Sequence, residues 1–264
     1  MKLAALYIHP IKSCAAVALK EARLGRRGLE HDRRWMVVDG DGVFLTQRTL
    51  PEMALVRIAI GDERLVVSKE GLPRLPLPFV HEDGARADVV VWDDTVRAVV
   101  HDEGSDWFAR ALGRPVRLVC MPDDARRSVE APFGHDGDIV SFADAFPLLV
   151  VNQASLAALG DAVDARRFRP NLVVDGAAAW AEDDWRALRI GARDAAPVVL
   201  RTPKPCARCT IPGVDPDSAV TTKEPLRTLA RLRTRDHRVL FGINAIPDGE
   251  GVLRVGDPIA ALDM

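Results

Sequence analysis

The chain predicts a mainly β fold with short helices, an α+β protein built as two packed β-barrel-like domains. Three observations carry that expectation. Short apolar or alternating runs follow one another closely through the first half, the pattern of strands rather than of helices. Asp-Gly, Gly-Asp and Asp-Asp pairs stand between them, where hairpin turns need polar residues tolerant of unusual backbone angles. Residues 122–137 are polar, rich in Asp and Arg and broken by Pro and Gly, and they separate a domain at 1–121 from one at 122–264.

Taken in order, residues 3–8 read as an apolar strand. Residues 34–38 and 43–46 form a hairpin across Asp39-Gly40-Asp41-Gly42. Residues 55–60 pair with 65–68 across Gly61-Asp62, and 89–92 with 96–100 across Asp93-Asp94. Strands this closely spaced predict a sheet that closes or folds over itself. Residues 105–112 are the first helix, stopped by Gly113, and 116–121 the strand after it. The second half holds a strand at 147–151, a helix at 153–159, a strand at 171–174, the run Leu188-Arg189-Ile190-Gly191 and a buried strand at 198–200. Glu182-Asp183-Asp184-Trp185 reads as a cap or turn with an aromatic anchor. A basic helix at 226–233 precedes strands at 239–243 and 252–255 and the turn Gly256-Asp257-Pro258.

Of 264 residues, 48% are hydrophobic, enough for a large core. A net charge of −2 offers no general attraction to nucleic acid or to acidic membranes. Four cysteines make no disulfide framework and fit a reducing compartment. No apolar run has the length of a signal peptide core or a membrane span, so a cytoplasmic protein is expected.

The most informative stretch is Lys204-Pro205-Cys206-Ala207-Arg208-Cys209, followed by Val214-Asp215-Pro216-Asp217. A cation beside a thiol favours the thiolate, and a thiolate is a nucleophile or a soft metal ligand. Three readings stand. A zinc site needs a second ligand pair, and Cys14 and Cys120 are isolated. A redox dithiol should open a helix, whereas Pro212 and Gly213 follow here. The third is two ordinary thiols on a tight loop.

Three clusters offer cations to a phosphate: Lys12-Ser13 after the first strand, Asp32-Arg33 before the second, and Phe168-Arg169-Pro170-Asn171 at the entry of a strand. Taken singly, each also fits a solvated surface charge. His9 and His31 read as satisfied loop or core histidines.

The motifs taken as an ordered set resemble MOSC-domain proteins with an N-terminal β-barrel partner domain. The chain is similar to the bacterial relatives of the mitochondrial amidoxime-reducing component. The resemblance rests on Tyr7-Ile8-His9-Pro10-Ile11-Lys12-Ser13, Gly28-Leu29-Glu30-His31-Asp32-Arg33-Arg34-Trp35, Phe142-Ala143-Asp144-Ala145-Phe146-Pro147, Phe168-Arg169-Pro170-Asn171, the cysteine loop, and Lys223-Glu224-Pro225-Leu226.

That resemblance implies a molybdenum cofactor, a pyranopterin with one dithiolene and a terminal phosphate, seated between the two halves. It implies Cys209 as the protein thiolate on the metal and no metal bond to Cys206. It implies Lys12, Ser13, Arg33, Asp144, Arg169, Pro170 and Asn171 as cofactor contacts. Asp215 is a candidate proton relay, with capping of the turn before Pro216 as its alternative role. The implied function is reduction of N-hydroxylated compounds, N–OH to N–H, with electrons from a separate donor protein. The alternative is a carrier of the cofactor, or of a persulfide on Cys209, without turnover. Pro212-Gly213 stand where relatives often carry two threonines, so contacts made by those hydroxyls are missing here. Some bacterial relatives continue into a ferredoxin domain, and no such fused donor is expected in this chain.

Overall fold

The computed structural model describes residues 1–160, 163–191 and 196–262. The fold is mainly β, as expected, with three α-helices among the described residues. No sheet closes on itself among them: one nine-stranded, one four-stranded and two three-stranded sheets remain open and fold over one another.

The largest sheet explains why closure fails. Its core comes from the second half, with strands Leu148–Asn152, Leu172–Asp175, Val198–Ala207 and Arg238–Pro247. The first strand of the chain, Lys2–Ile8, leaves its own half and pairs antiparallel with Leu172–Asp175. Leu3, Leu6 and Ile8 are then fully buried against Leu148, Val150, Leu172 and Leu200. The reverse exchange occurs at the other end, where Gly251–Arg254 pairs with Glu21–Gly25. Each half therefore completes a sheet of the other, and a strand spent across the junction is not available to close a barrel.

The first half keeps a core of its own around Trp35, Met53, Leu65, Trp107 and Phe108. Helix Asp102–Leu112 begins three residues earlier than its apolar pattern suggests, because His101 caps it: Nδ1 accepts from the Gly104 amide at 2.9 Å. It ends at Gly113, φ 64°.

Several elements differ from expectation for identifiable reasons. Residues 43–46 make only isolated bridges, Phe44 to Val38 and Val43 to Val90, although the turn before them forms, with Asp39 Oδ1 accepting from the amides of Asp41 and Val43. Strand Leu75–Pro78 is invisible in the sequence because two of its four residues are proline. It is tolerated on the edge of its sheet, where missing amides cost no ladder bond. The strand expected at 198–200 runs on to Ala207, since register shifts between Arg201 and Lys204 and between Pro205 and Ala207 absorb the prolines.

Gly28 sits where the hairpin of the first half meets the second. Its φ is +94°, and a Cβ there would lie 2.8 Å from the Pro147 carbonyl oxygen. Gly28→Ala should destabilise the protein by about 1–3 kcal/mol, through positive-φ strain and this contact. Urea denaturation of both proteins measures it, and an unchanged midpoint would contradict the close approach.

Candidate active site

A cavity of about 360 Å³ opens between the halves. Lys12, Ser13 and Arg33 reach it from the first half, and Asp144, Arg169, Asn171, Cys206 and Cys209 from the second. The tertiary structure thus brings together nearly all the residues singled out from the sequence. Two stand outside the lining. Pro170 presents its carbonyl to His9 Nε2 at 3.1 Å. Asp215 caps a turn: Oδ1 accepts from the amides of Asp217 and Ser218, and Oδ2 meets Arg167 Nη2 at 2.6 Å.

Backbone geometry aims the cations. Ser13, Arg33 and Arg169 all adopt left-handed conformations, with φ of 66°, 49° and 56°. Non-glycine residues enter this region at a cost, and three of them around one cavity is a pattern associated with functional sites. Arg33 donates from Nη1 to Asp32 Oδ2 at 2.5 Å and to Asn171 Oδ1 at 3.2 Å, and from Nη2 to the Arg169 carbonyl at 3.2 Å. Arg169 donates from Nη1 to the Cys14 carbonyl at 2.8 Å. Its Nη2 is buried and has no partner.

Lys12 is 5% exposed. Its ammonium donates to the Phe142 carbonyl at 2.7 Å and to Asp144 Oδ1 at 2.5 Å. Burial pushes the Lys12 pKa down from 10.5 to about 8, against the opposing pull of Asp144. Desolvation raises the Asp144 pKa, but the Lys12 ammonium outweighs it and holds the carboxyl well below the usual range. Burial, then the charges of Arg169 and Arg33, keep His9 neutral, its pKa well below the usual value. With Nε2 donating to Pro170, Nδ1 is left without a partner.

The cysteines differ in surroundings. Cys206 lies within the extended strand, and Arg208 Nη1 approaches its sulfur at 3.2 Å. Cys209 lies beyond the strand, a free and partly exposed thiol on the cavity wall. Among the described residues no three His, Cys, Asp or Glu side chains converge as metal ligands, so the zinc reading has no ligand set. The turn Ile211–Gly213 follows at once. A Cβ on Gly213 would sit 2.6 Å from the Thr222 carbonyl oxygen, so the turn has no room for a threonine there.

Sequence reasoning missed several contributors. Arg48 lines the cavity, its guanidinium 4.5 Å from the Trp92 ring centroid. Arg208, already read from the sequence as the cation between the two cysteines, also lines it, with a buried, unpartnered Nε. Arg127 reads in the sequence as part of a polar boundary. It is 5% exposed and donates to the carbonyls of Ser141, Ala143 and Asp144, fixing the loop that presents Asp144. Only the Asp- and Arg-rich composition of 122–137 signalled it.

These features fit a phosphate-bearing cofactor with a soft metal. The cavity offers guanidinium donors with capacity to spare, two ammonium groups, and the free thiols of Cys206 and Cys209.

Comparison with known proteins agrees. Residues 1–115 match the MOSC N-terminal beta barrel domain and residues 137–260 the MOSC domain. The chain is 31% identical to mitochondrial amidoxime-reducing component 1 of Xenopus laevis, over 96% of this chain and 80% of that protein. It is 31% identical to mitochondrial amidoxime-reducing component 1 of Homo sapiens, over 98% and 82%. It is 30% identical to the molybdenum cofactor sulfurase of Oryza sativa subsp. japonica, over 91% of this chain and 32% of that protein.

The Lys12–Asp144 pair has a measurable consequence. The Lys12 ammonium should titrate near pH 8 rather than 10.5, and lower still in Asp144→Asn, which removes the group opposing the shift. Between about pH 8 and 10.5 the unfolded chain keeps a proton that the folded chain has released, so the Lys12 contribution to stability rises with pH there. It is lost as pH falls through 8. Nitrogen-detected NMR of the lysine Nζ groups checks this, and a Lys12 midpoint above 10 would contradict the buried setting.

Proposed function

Since the chain belongs to the family that joins a MOSC N-terminal domain to a MOSC domain, and its function is related to the molybdenum cofactor, we propose that it is a reductase of N-hydroxylated compounds. Two relatives carry amidoxime reduction in their names, and their identity to this chain extends over nearly all of it. The observation that carries the reading is one cavity lined by cations from both halves and by the free thiol of Cys209. The two functional halves are taken as 1–121 and 122–264.

In this reading Cys209 provides the thiolate to molybdenum, while Arg33, Arg169, Lys12 and Ser13 face the pterin and its phosphate. When bound, the cofactor supplies the two-electron chemistry that converts N–OH and two protons to N–H and water. The protein's part is to hold and orient. Asp144 and the Phe142 carbonyl keep the Lys12 ammonium turned into the cavity. Arg169 keeps one edge anchored on Cys14 and leaves the other for an anion. Asn171 lines the cavity, but its carboxamide is engaged with Tyr7, Leu149 and Arg33, so it positions its neighbours. Asp215 is held by its turn and Arg167 and is assigned no proton transfer. Electrons arrive from a separate donor protein, because the chain carries no nicotinamide, flavin, haem or iron–sulfur fingerprint.

Cys209→Ser should lose molybdenum and turnover of an amidoxime, because a hydroxyl is a poor substitute for a soft thiolate. Cys206→Ser should retain both. Equal behaviour of the two mutants in metal analysis would overturn the assignment.

Arg169→Ala and Lys12→Ala should each weaken cofactor retention by removing a charge-assisted bond of about 1.5–3 kcal/mol, roughly ten- to hundredfold in affinity. Pterin content of the purified proteins reads this directly.

NADH alone should not drive turnover, whereas dithionite with a viologen should. Bound molybdenum and pterin with no turnover under the viologen would favour a carrier.

A further inference from the structure

A second cavity, of about 730 Å³, lies on the other side of the wall formed by Arg33-Arg34 and loop 141–144. We infer that it is a binding site for a small phosphorylated molecule, distinct from the cofactor cavity. Its volume falls in the range of small-molecule sites, roughly 300–1,000 Å³.

The lining is arginine-rich. Arg23, Arg26, Arg27, Arg34 and Arg126 face it, against Glu30, Asp123 and Glu250. Three of these guanidinium groups converge on one short loop. Arg27 Nη2 donates to the carbonyls of Asp123 and Ala125 at 3.1 and 2.5 Å. Arg126 Nη1 donates to the same two carbonyls at 2.7 and 3.0 Å. Arg34 Nη2 donates to the Met121 carbonyl at 2.6 Å and to Asp123 Oδ1 at 2.7 Å. The loop thus gives three cations mostly neutral oxygens and one carboxylate. Their mutual repulsion is felt: burial first, then Arg34 and Arg126, push Arg27 down to about 10. A multiply charged anion relieves that repulsion and accepts from several guanidinium forks at once.

Two further groups point to a ligand rather than to a solvated charged surface. Ser141 lines the cavity, is 2% exposed, and its Oγ has no partner. Arg34 Nε is buried and also has no partner. Buried polar atoms are ordinarily satisfied, so two orphans in one arginine-lined cavity are unusual. Because Ser141 is recessed, a flat membrane or protein surface does not reach it, and its hydroxyl turns toward the cavity to meet a small anion. The Phe142 amide donates to the Arg33 carbonyl at 3.0 Å, so an anion held by Ser141 and Arg34 rests on the back of the cofactor cavity wall.

The test titrates pyrophosphate into the full chain by calorimetry, at fixed ionic strength. Four proteins are compared: wild type, the exposed double variant Arg23→Gln/Arg126→Gln, Ser141→Ala, and Arg169→Ala as control for the first cavity. Thermal melting verifies that each is folded. The expected result is saturable binding that survives Arg169→Ala, falls at least tenfold in the double variant, and falls severalfold in Ser141→Ala. Failure of wild type to bind at millimolar pyrophosphate would overturn the inference. So would binding that vanishes in Arg169→Ala and persists in the double variant, which would locate the anion in the cofactor cavity. Binding to an acidic peptide without binding to pyrophosphate would also reject it and mark a protein-docking surface. None of these outcomes depends on whether the protein reduces N-hydroxylated compounds.

Discussion

The antiparallel pairing of strand Lys2–Ile8 with strand Leu172–Asp175 is the constraint on which the rest of the structure depends. It ends at Asn171, whose side chain ties three segments together. Nδ2 donates to the Tyr7 carbonyl, and Oδ1 accepts from the Leu149 amide and from Arg33. The Asn171 backbone adds a bond from the Tyr7 amide at 2.9 Å to its carbonyl. Each buried group left unpaired would cost about 1–3 kcal/mol, so this junction resists sliding. Its consequence is positional. The residues after one strand, His9 to Ser13, lie beside the residues before the other, Arg169 to Asn171.

That juxtaposition gathers positive charge at a place with little water. Lys12 and Arg169 are both depressed by burial, to about 8 and about 10. The protein compensates in part. Asp144 meets Lys12, Asp32 meets Arg33, and backbone carbonyls meet Arg169 and Lys12. It does not compensate fully, since Arg169 Nη2 and Arg208 Nε stay unpaired. Left-handed backbone at Ser13, Arg33 and Arg169 adds strain at the same place. Surplus positive charge and local strain at one cavity suit the binding of an anion.

Loop 141–144 stands between two cavities and is held from behind by Arg127. One end presents Asp144 to Lys12, the other presents Ser141 to the arginine-lined space. Arg33 and Arg34, neighbours in the chain, likewise face different cavities. The left-handed turn at Arg33 and the bends of loop 141–144 send neighbouring side chains to opposite sides, so a single wall serves both.

Much of this was legible in the sequence. Alternating apolar runs and Asp-Gly turns identified most strands, because burial on one face of a sheet imposes a period of two. The clusters around Lys12, Arg33, Arg169 and Cys209 were legible as local chemistry, cations and thiols on turn-like backbone. Sequence alone did not determine which strands pair across the junction, because register depends on side chains distant in the chain. Nor did it separate Asn171 as a tie between segments from Asn171 as a ligand contact, since the same amide serves either. The roles of Arg127, Arg48 and Ser141 were set only by packing. A charge read in isolation looks solvated, and it becomes a structural tie or a site only when the tertiary fold removes water and decides which oxygens stand within reach.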